Sequence, residues 1–192
     1  DGILGRAVLE RYPAVHAVLV DFSESMLQAA VDGLGIVPGA HSSVQLVQAD
    51  FSSAAWLAKL DSSQRFDLIV SGFSLHHQAD ERKRTLYAEI LDLLAPGGVF
   101  MNLEHVASPT LVVSALFDDY FIDHLHAFHC RSDGHRSRQE VAETYYSRPD
   151  KVENLLALVE RQCDWLREIG FQDVDCFFKV FELALFGGRK PA

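Results

Sequence analysis

The sequence predicts a doubly wound α/β domain with a mostly parallel sheet, and three observations carry that prediction. Short apolar runs alternate with longer amphipathic stretches four times, and such alternation requires crossovers that place helices on both faces of a parallel sheet. The chain has 192 residues, 48% of them hydrophobic, which suits one core in a single domain. Near the C-terminus two further apolar runs follow each other so closely that they must pair antiparallel.

The first four runs, residues 15–20, 44–47, 66–70 and 98–103, are branched or aromatic-rich and bounded by turn or polar residues. They read as central strands buried on both faces. Between the first two, Ser23 is an N-cap before Met26, Leu27, Ala30, Val31 and Leu34, and Gly35 is placed to stop that helix. Asp80 opens a second helix through Leu86, Ile90, Leu93 and Leu94, and Pro96-Gly97-Gly98 is expected to end it. Beyond Val106 the alternation breaks. Ser108-Pro109 reads as an N-cap and N1 pair for an apolar helix through Val112, Leu116, Phe121, Leu125 and Phe128, and a polar, arginine-rich stretch to Arg148 follows. Residues 107–149 therefore read as a helical lid within a single domain spanning 1–192. The last long helix is expected from Asp150, with Glu153 as its capping-box partner, to a stop at Gly170. Residues 174–180 and 182–186 form the antiparallel pair. Trp56 and Trp165 read as core.

Composition narrows the function. With 17 Lys and Arg against 27 Asp and Glu, the net charge of −10 opposes a phosphate backbone, and no apolar run approaches the ~20 residues of a membrane span. Neither nucleic acid nor membrane is an expected partner; a small molecule is. Cys130, Cys163 and Cys176 are odd in number and lack CxxC spacing, as in a reducing compartment. The opening residues Asp1-Gly2-Ile3-Leu4-Gly5 carry no basic-then-apolar leader, so the expected location is cytoplasmic.

Ligands of open α/β sheets bind outside the carboxyl ends of the strands, so Asp21-Phe22, Asp50-Phe51, the 71–77 loop and Glu104-His105 should converge on one crevice. Asp21 closes a strand 19 residues after Gly2, near the ~20-residue offset at which an acid accepts hydrogen bonds from ribose hydroxyls; an aspartate there also caps its own turn. Four candidates can move a proton at the strand ends: His76, His77, Glu104 and His105, with His76 and His105 preferred because an ordinary histidine titrates near 6.5. His124, His126, His129, Cys130 and His135 cluster in sequence, but without paired metal-ligand spacing no metal is expected. Tyr145 and Tyr146 are the lid's best recognition elements.

Five ordered segments carry a resemblance: Asp1-Gly2, Asp21-Phe22-Ser23-Glu24-Ser25-Met26-Leu27, Gln48-Ala49-Asp50-Phe51, Phe66-Asp67-Leu68-Ile69-Val70 and Leu94-Ala95-Pro96-Gly97-Gly98. Together they resemble class I S-adenosylmethionine-dependent methyltransferases, and Trp165 to Phe171 with the terminal strand pair is similar to that family's end. The resemblance implies methyl transfer from S-adenosylmethionine to a small molecule, leaving S-adenosylhomocysteine. It implies cofactor contacts by Asp1, Gly2, Asp21, Phe22, Met26, Asp50, Phe51 and Ser71 and a place for His77 beside methionine and substrate; the catalytic candidates His76, Glu104 and His105 follow from their strand-end position, and the substrate candidates Tyr145 and Tyr146 from the lid. The family's first strand and Gly-rich turn would precede or overlap Asp1, so the chain reads as truncated at its N-terminus, with a longer parent protein. A non-catalytic cofactor-binding relative, a fragment dependent on a partner chain, and a nicotinamide-dependent oxidoreductase are the rival readings.

Overall fold

The computed structural model describes residues 2–34, 44–132, 136–148 and 154–192. The chain opens with a helix that sequence patterning does not predict, α1 (Ile3–Arg11), followed by β1 (Ala17–Asp21), α2 (Glu24–Leu34) and β2 (Val44–Gln48). Next come β3 (Phe66–Gly72), α3 (Asp80–Leu93) and β4 (Leu94–His105). Then α4 (Leu111–Ser132), α5 (Arg138–Tyr146), α6 (Val159–Ile169), β5 (Gln172–Val180) and β6 (Leu183–Arg189) complete it. Short 3-10 turns cover Ala54–Lys59 and Leu75–His77.

The strands lie in two hydrogen-bonded sheets. β1 and β2 form a parallel pair in which Asp21 stands opposite Gln48. β3, β4, β6 and β5 form the second sheet in that order, with β3 parallel to β4 and both β6 contacts antiparallel. Helix α1 spans the two, with Leu4 against Gly72 of β3 and Gly5 against Leu19 of β1. The expectation of strands buried on both faces fails for β1, β2, where only Val47 is buried, and β3. Every residue of β1 is half-buried, and Leu68 and Val70 of β3 are exposed, because no strand of either sheet pairs β1 with β3. β4 is the true centre of the second sheet: it has a paired strand on each side, and Leu94, Phe100, Asn102 and Glu104 are fully buried along one face.

The main core forms where α3 and α6 cover β4 and β6, with Leu86, Tyr87, Ile90, Leu94, Phe100, Leu166 and Phe186 almost or wholly excluded from water. Trp56 and Trp165 are part of it, as the sequence predicts. A smaller cluster, Ile122, Val141 and Tyr145, joins α4 to α5.

Several boundaries differ from expectation. Helix α3 stops at Leu93, ahead of Pro96-Gly97-Gly98, and those three residues instead run inside β4. The apolar demand of the core drives this, since Leu94 is already a buried strand residue. Helix α4 starts at Leu111 rather than after Ser108, and the Thr110 hydroxyl accepts from the Val113 amide at 3.2 Å to satisfy its first turn. The polar, arginine-rich stretch contains a second lid helix, α5, opened by a capping box between Ser137 and Glu140. The last helix begins at Val159, not Asp150. Residues 154–158 are extended because their backbone is claimed elsewhere: Leu155 N–H donates to the His76 carbonyl and Ala107 N–H to that of Ala157. Gly170 ends α6 in the left-handed region (φ 116°), as expected. Gly35, Asp150 and Glu153 lie outside the described residues.

Candidate functional site

The strand-end loops meet in two groups. In the first, the Ala49 amide donates to the Asp21 carbonyl at 3.0 Å and the Gln48 side chain to the Phe22 carbonyl at 3.1 Å, which sets the Asp21-Phe22 and Asp50-Phe51 loops side by side. Asp21 accepts the Ser23 amide on Oδ1 (2.8 Å), a local turn that leaves its Oδ2 without a partner among the described residues. Asp50 is exposed and uses both oxygens locally, on the Ser52 amide and hydroxyl. Phe22 (67% exposed) and Met26 present apolar surface beside this group. Gly2 precedes α1, backed onto Ala30, and Asp1 lies outside the described residues.

The Asp50-Phe51 loop is tied to α3 by a buried polar hub. Arg82 Nε donates to the Phe51 carbonyl, while its two terminal nitrogens grip the Glu89 carboxylate at 2.7 Å each, and Trp56 Nε1 donates to the same carboxylate at 2.7 Å. Burial pushes the Glu89 carboxyl up, but the Arg82 and Trp56 bonds outweigh it and hold the group below its ordinary value.

The second group joins β3, β4 and the turn that follows β3. Glu104 is 1% exposed and accepts three hydrogen bonds: from His76 Nδ1 (2.6 Å), the Leu75 amide (2.9 Å) and the His105 amide (3.0 Å). A carboxylate only accepts, so the His76 Nδ1 carries a proton and its Nε2 is the ring nitrogen left for other partners. His105 forms a second such pair, with Nε2 donating to Glu182 at 2.9 Å. Burial raises the Glu182 carboxyl, but hydrogen bonds led by His105 overcome it and hold the group below its ordinary value. The His76 and His105 rings lie 5.9 Å apart, and the exposed His77 ring packs 3.9 Å from His76. Ser71, on β3 ahead of this group, has a buried hydroxyl with no hydrogen-bond partner among the described residues.

Beside His105 a cleft of about 580 Å³ opens, lined by Ser108, Ser114, Asp118, Tyr145, Asn154 and Glu182 among others. Tyr145 forms part of its wall with the hydroxyl donating to Asp118 at 2.7 Å, whereas Tyr146 is exposed and does not line the cleft, its ring 5.3 Å from that of Tyr145. Burial, and the charge of Asp118, push the Tyr145 phenol well up, so it stays a donor. Among the described residues no three His, Cys, Asp or Glu gather as metal ligands; His126 and Cys130 are neighbours at 3.4 Å, and His135 lies outside the described residues.

The sequence brings His76, Glu104 and His105 to notice but not Glu182, a residue in the two-residue turn between β5 and β6. Nothing local marks it, since only the register that sets His105 opposite Leu183 carries it to the site. Buried Lys83 is also missed, although its place at helical spacing from Leu86, Tyr87 and Ile90 is a legible signal.

A family model described as a methyltransferase domain matches residues 1–98. No curated protein matches the chain in sequence. Among solved structures, the S-adenosylmethionine-dependent methyltransferase SibL in its apo form is 17% identical with a TM-score of 0.60, and the match covers 100% of this chain and 48% of that one. An O-methyltransferase family protein from Burkholderia thailandensis is 15% identical with a TM-score of 0.63, covering 97% of this chain and 47% of that one. N-methyltransferase NodS from Bradyrhizobium japonicum WM9, in complex with S-adenosyl-l-homocysteine, is 16% identical with a TM-score of 0.57, covering 100% and 74%. At these identities the likeness shows the fold. The chain spans about half the length of the first two.

Proposed function

The chain belongs to the methyltransferase domain family, and on that premise we propose that it transfers a methyl group from S-adenosylmethionine to a small-molecule acceptor, with S-adenosylhomocysteine as the other product. The residues present fit such a cofactor: the partnerless Oδ2 of Asp21, the orphaned buried hydroxyl of Ser71 and the exposed faces of Phe22 and Met26 lie at or near the strand ends. In this reading Asp21 takes the ribose hydroxyls, Asp50 and Phe51 the adenine, and Gly2 with Ser71 the methionine portion. Bound there, S-adenosylmethionine supplies a methyl group that is already electrophilic.

The observation that carries the reading is the buried His76–Glu104 pair beyond β3 and at the end of β4. Glu104 fixes the tautomer and stabilises positive charge on the ring, so His76 is equipped to take a proton from an acceptor hydroxyl or amine as it is methylated. His105, held by Glu182 on the wall of the cleft, is the second candidate for that role. The acceptor occupies the cleft, where Tyr145 orients it and α4 with α5 acts as a lid that excludes water.

Calorimetry with S-adenosylhomocysteine tests the cofactor assignment. The native chain binds it, and Asp21→Ala weakens binding by about 1–3 kcal/mol, the loss of a charged acceptor. Binding neither by this chain nor by one extended at its N-terminus sinks the reading; unchanged affinity in the variant removes Asp21 from the site.

A further inference from the structure

Arg82 and Glu89 stand two turns apart on one face of α3, and the arginine spans that distance to grip the carboxylate with both terminal nitrogens. The planar guanidinium has its third nitrogen, Nε, left to donate, and it donates to the Phe51 carbonyl at 2.7 Å. Glu89 in turn accepts from Trp56 Nε1, and the Trp56 ring meets the Phe51 ring edge-on with centroids 6.1 Å apart. The loop from Phe51 to Trp56 is thus fastened to α3 at both ends. The Arg82 and Glu89 side chains are 14% and 10% exposed, so water competes little for these bonds. Asp50, by contrast, is exposed and, among the described residues, bonds only to Ser52 in its own turn. That turn is held from its flanks instead, by the Ala49 amide on the Asp21 carbonyl and by Arg82 on the Phe51 carbonyl.

We propose that Arg82 is a positioning residue for the adenine end of the cofactor: by fixing the Phe51 carbonyl against Glu89 it sets the turn that presents Asp50, and so decides the choice of adenine over hypoxanthine without touching the base. The inference rests on the assignment of Asp50 and Phe51 to adenine in the proposed function. An aspartate carboxylate only accepts, so it pairs with the exocyclic amino group of adenine and opposes the carbonyl that hypoxanthine carries at the same place. That discrimination depends on where the carboxylate stands. With the Phe51 carbonyl released, the turn keeps its anchor at Ala49 and loses the other, and Asp50 is free to swing. Lysine at position 82 keeps a charge for Glu89 but carries one nitrogen where arginine carries three, so the fork that serves the carboxylate and Phe51 together is lost.

Calorimetry with S-adenosylhomocysteine and with S-inosylhomocysteine, its 6-oxo analogue, reads the selection. The native chain binds the adenine ligand tighter by on the order of tenfold or more. In Arg82→Lys that preference falls to about one, through loss of affinity for the adenine ligand. Asp50→Ala abolishes the preference as well, and adding Arg82→Lys to it removes nothing further, as coupled residues require. An Arg82→Lys chain that weakens both ligands equally, or neither, overturns the proposal and leaves Arg82 a brace of the core. Should Arg82→Lys not fold, Arg82→Met with Glu89→Leu strands no buried ion and loses the same preference. Failure of both to fold overturns a positioning role separable from the core. Two outcomes keep this idea apart from the one it rests on. Native selectivity that survives in Arg82→Lys removes the role of Arg82 alone. Binding of neither ligand, by this chain or by one extended at its N-terminus, removes the cofactor reading itself, and the inference falls with it; a native chain that binds both alike removes the Asp50 contact and the inference together.

Discussion

The hub around Glu89 offers the sharpest stability test. Glu89→Leu removes the carboxylate that receives two Arg82 bonds and one from Trp56, all at 2.7 Å. The arginine side chain is 14% exposed, so it is left as a largely buried cation with only the Phe51 carbonyl for company, and the indole N–H is left with nothing. Breaking a buried ion pair from one side costs about 3–5 kcal/mol, a large share of the ~5–15 kcal/mol that holds a domain together. At about 2–4 °C per kcal/mol for a chain of this size, the midpoint of thermal unfolding falls by roughly 6–20 °C. Urea unfolding followed by tryptophan fluorescence measures the loss, with Trp56 itself a reporter. The double variant Arg82→Met with Glu89→Leu removes both charges and is more stable than Glu89→Leu alone. A single-variant cost below about 1 kcal/mol, or a double variant as unstable as the sum of the singles, refutes the account of the hub as a coupled pair. The pH dependence has a definite sign. Glu89 is held below its ordinary value of 4.5, so its contribution is complete above that value and is lost as pH falls through the lower folded-state value.

Gly187→Ala places a Cβ against the Phe100 carbonyl oxygen, with the Met101 Cα only 3.1 Å away, and forces β6 from β4; chemical denaturation shows a loss of about 1–3 kcal/mol or more, and a neutral result denies the close strand approach. Burial pushes the Cys163 thiol up to about 11, whereas Cys130 is exposed, so maleimide at pH 7.5 labels Cys130 first and Cys163 only on unfolding; mass spectrometry of the labelled peptides reports the order. His76→Ala leaves S-adenosylhomocysteine affinity unchanged while abolishing most turnover with any acceptor found, and turnover equal to native retires His76 as the base.

Local patterning made much of the fold legible. The apolar runs at 15–20, 44–47, 66–70 and 98–103 are strands because branched side chains at those spacings suit an extended backbone, and Ser23 caps α2 as its chemistry demands, with the Met26 amide 3.3 Å from its hydroxyl. The boundaries that failed did so where tertiary contacts outbid local preference. Residues 154–158 have helical spacing, yet their backbone is drawn to His76, Ala107 and Lys83, and the helix waits until Val159. The candidate site divides the same way. Asp21, Asp50, His76, Glu104 and His105 are legible as chemistry-bearing residues at the carboxyl ends of predicted strands, but the single crevice expected of them is replaced by two groups, one on the β1–β2 pair and one on the four-stranded sheet.

What the sequence determined by itself was periodicity and punctuation: which segments are strands or helices, and which polar residues fall at strand ends. What only the tertiary structure decided was pairing between residues far apart in the chain. Glu182 reaches His105 across 77 positions, and Lys83 meets Leu155 across 72. Such partners have no local signature, because burial and charge compensation are properties of the packed core; the antiparallel register of β4 with β6 and the covering of β4 by α3 create them only once the chain has folded.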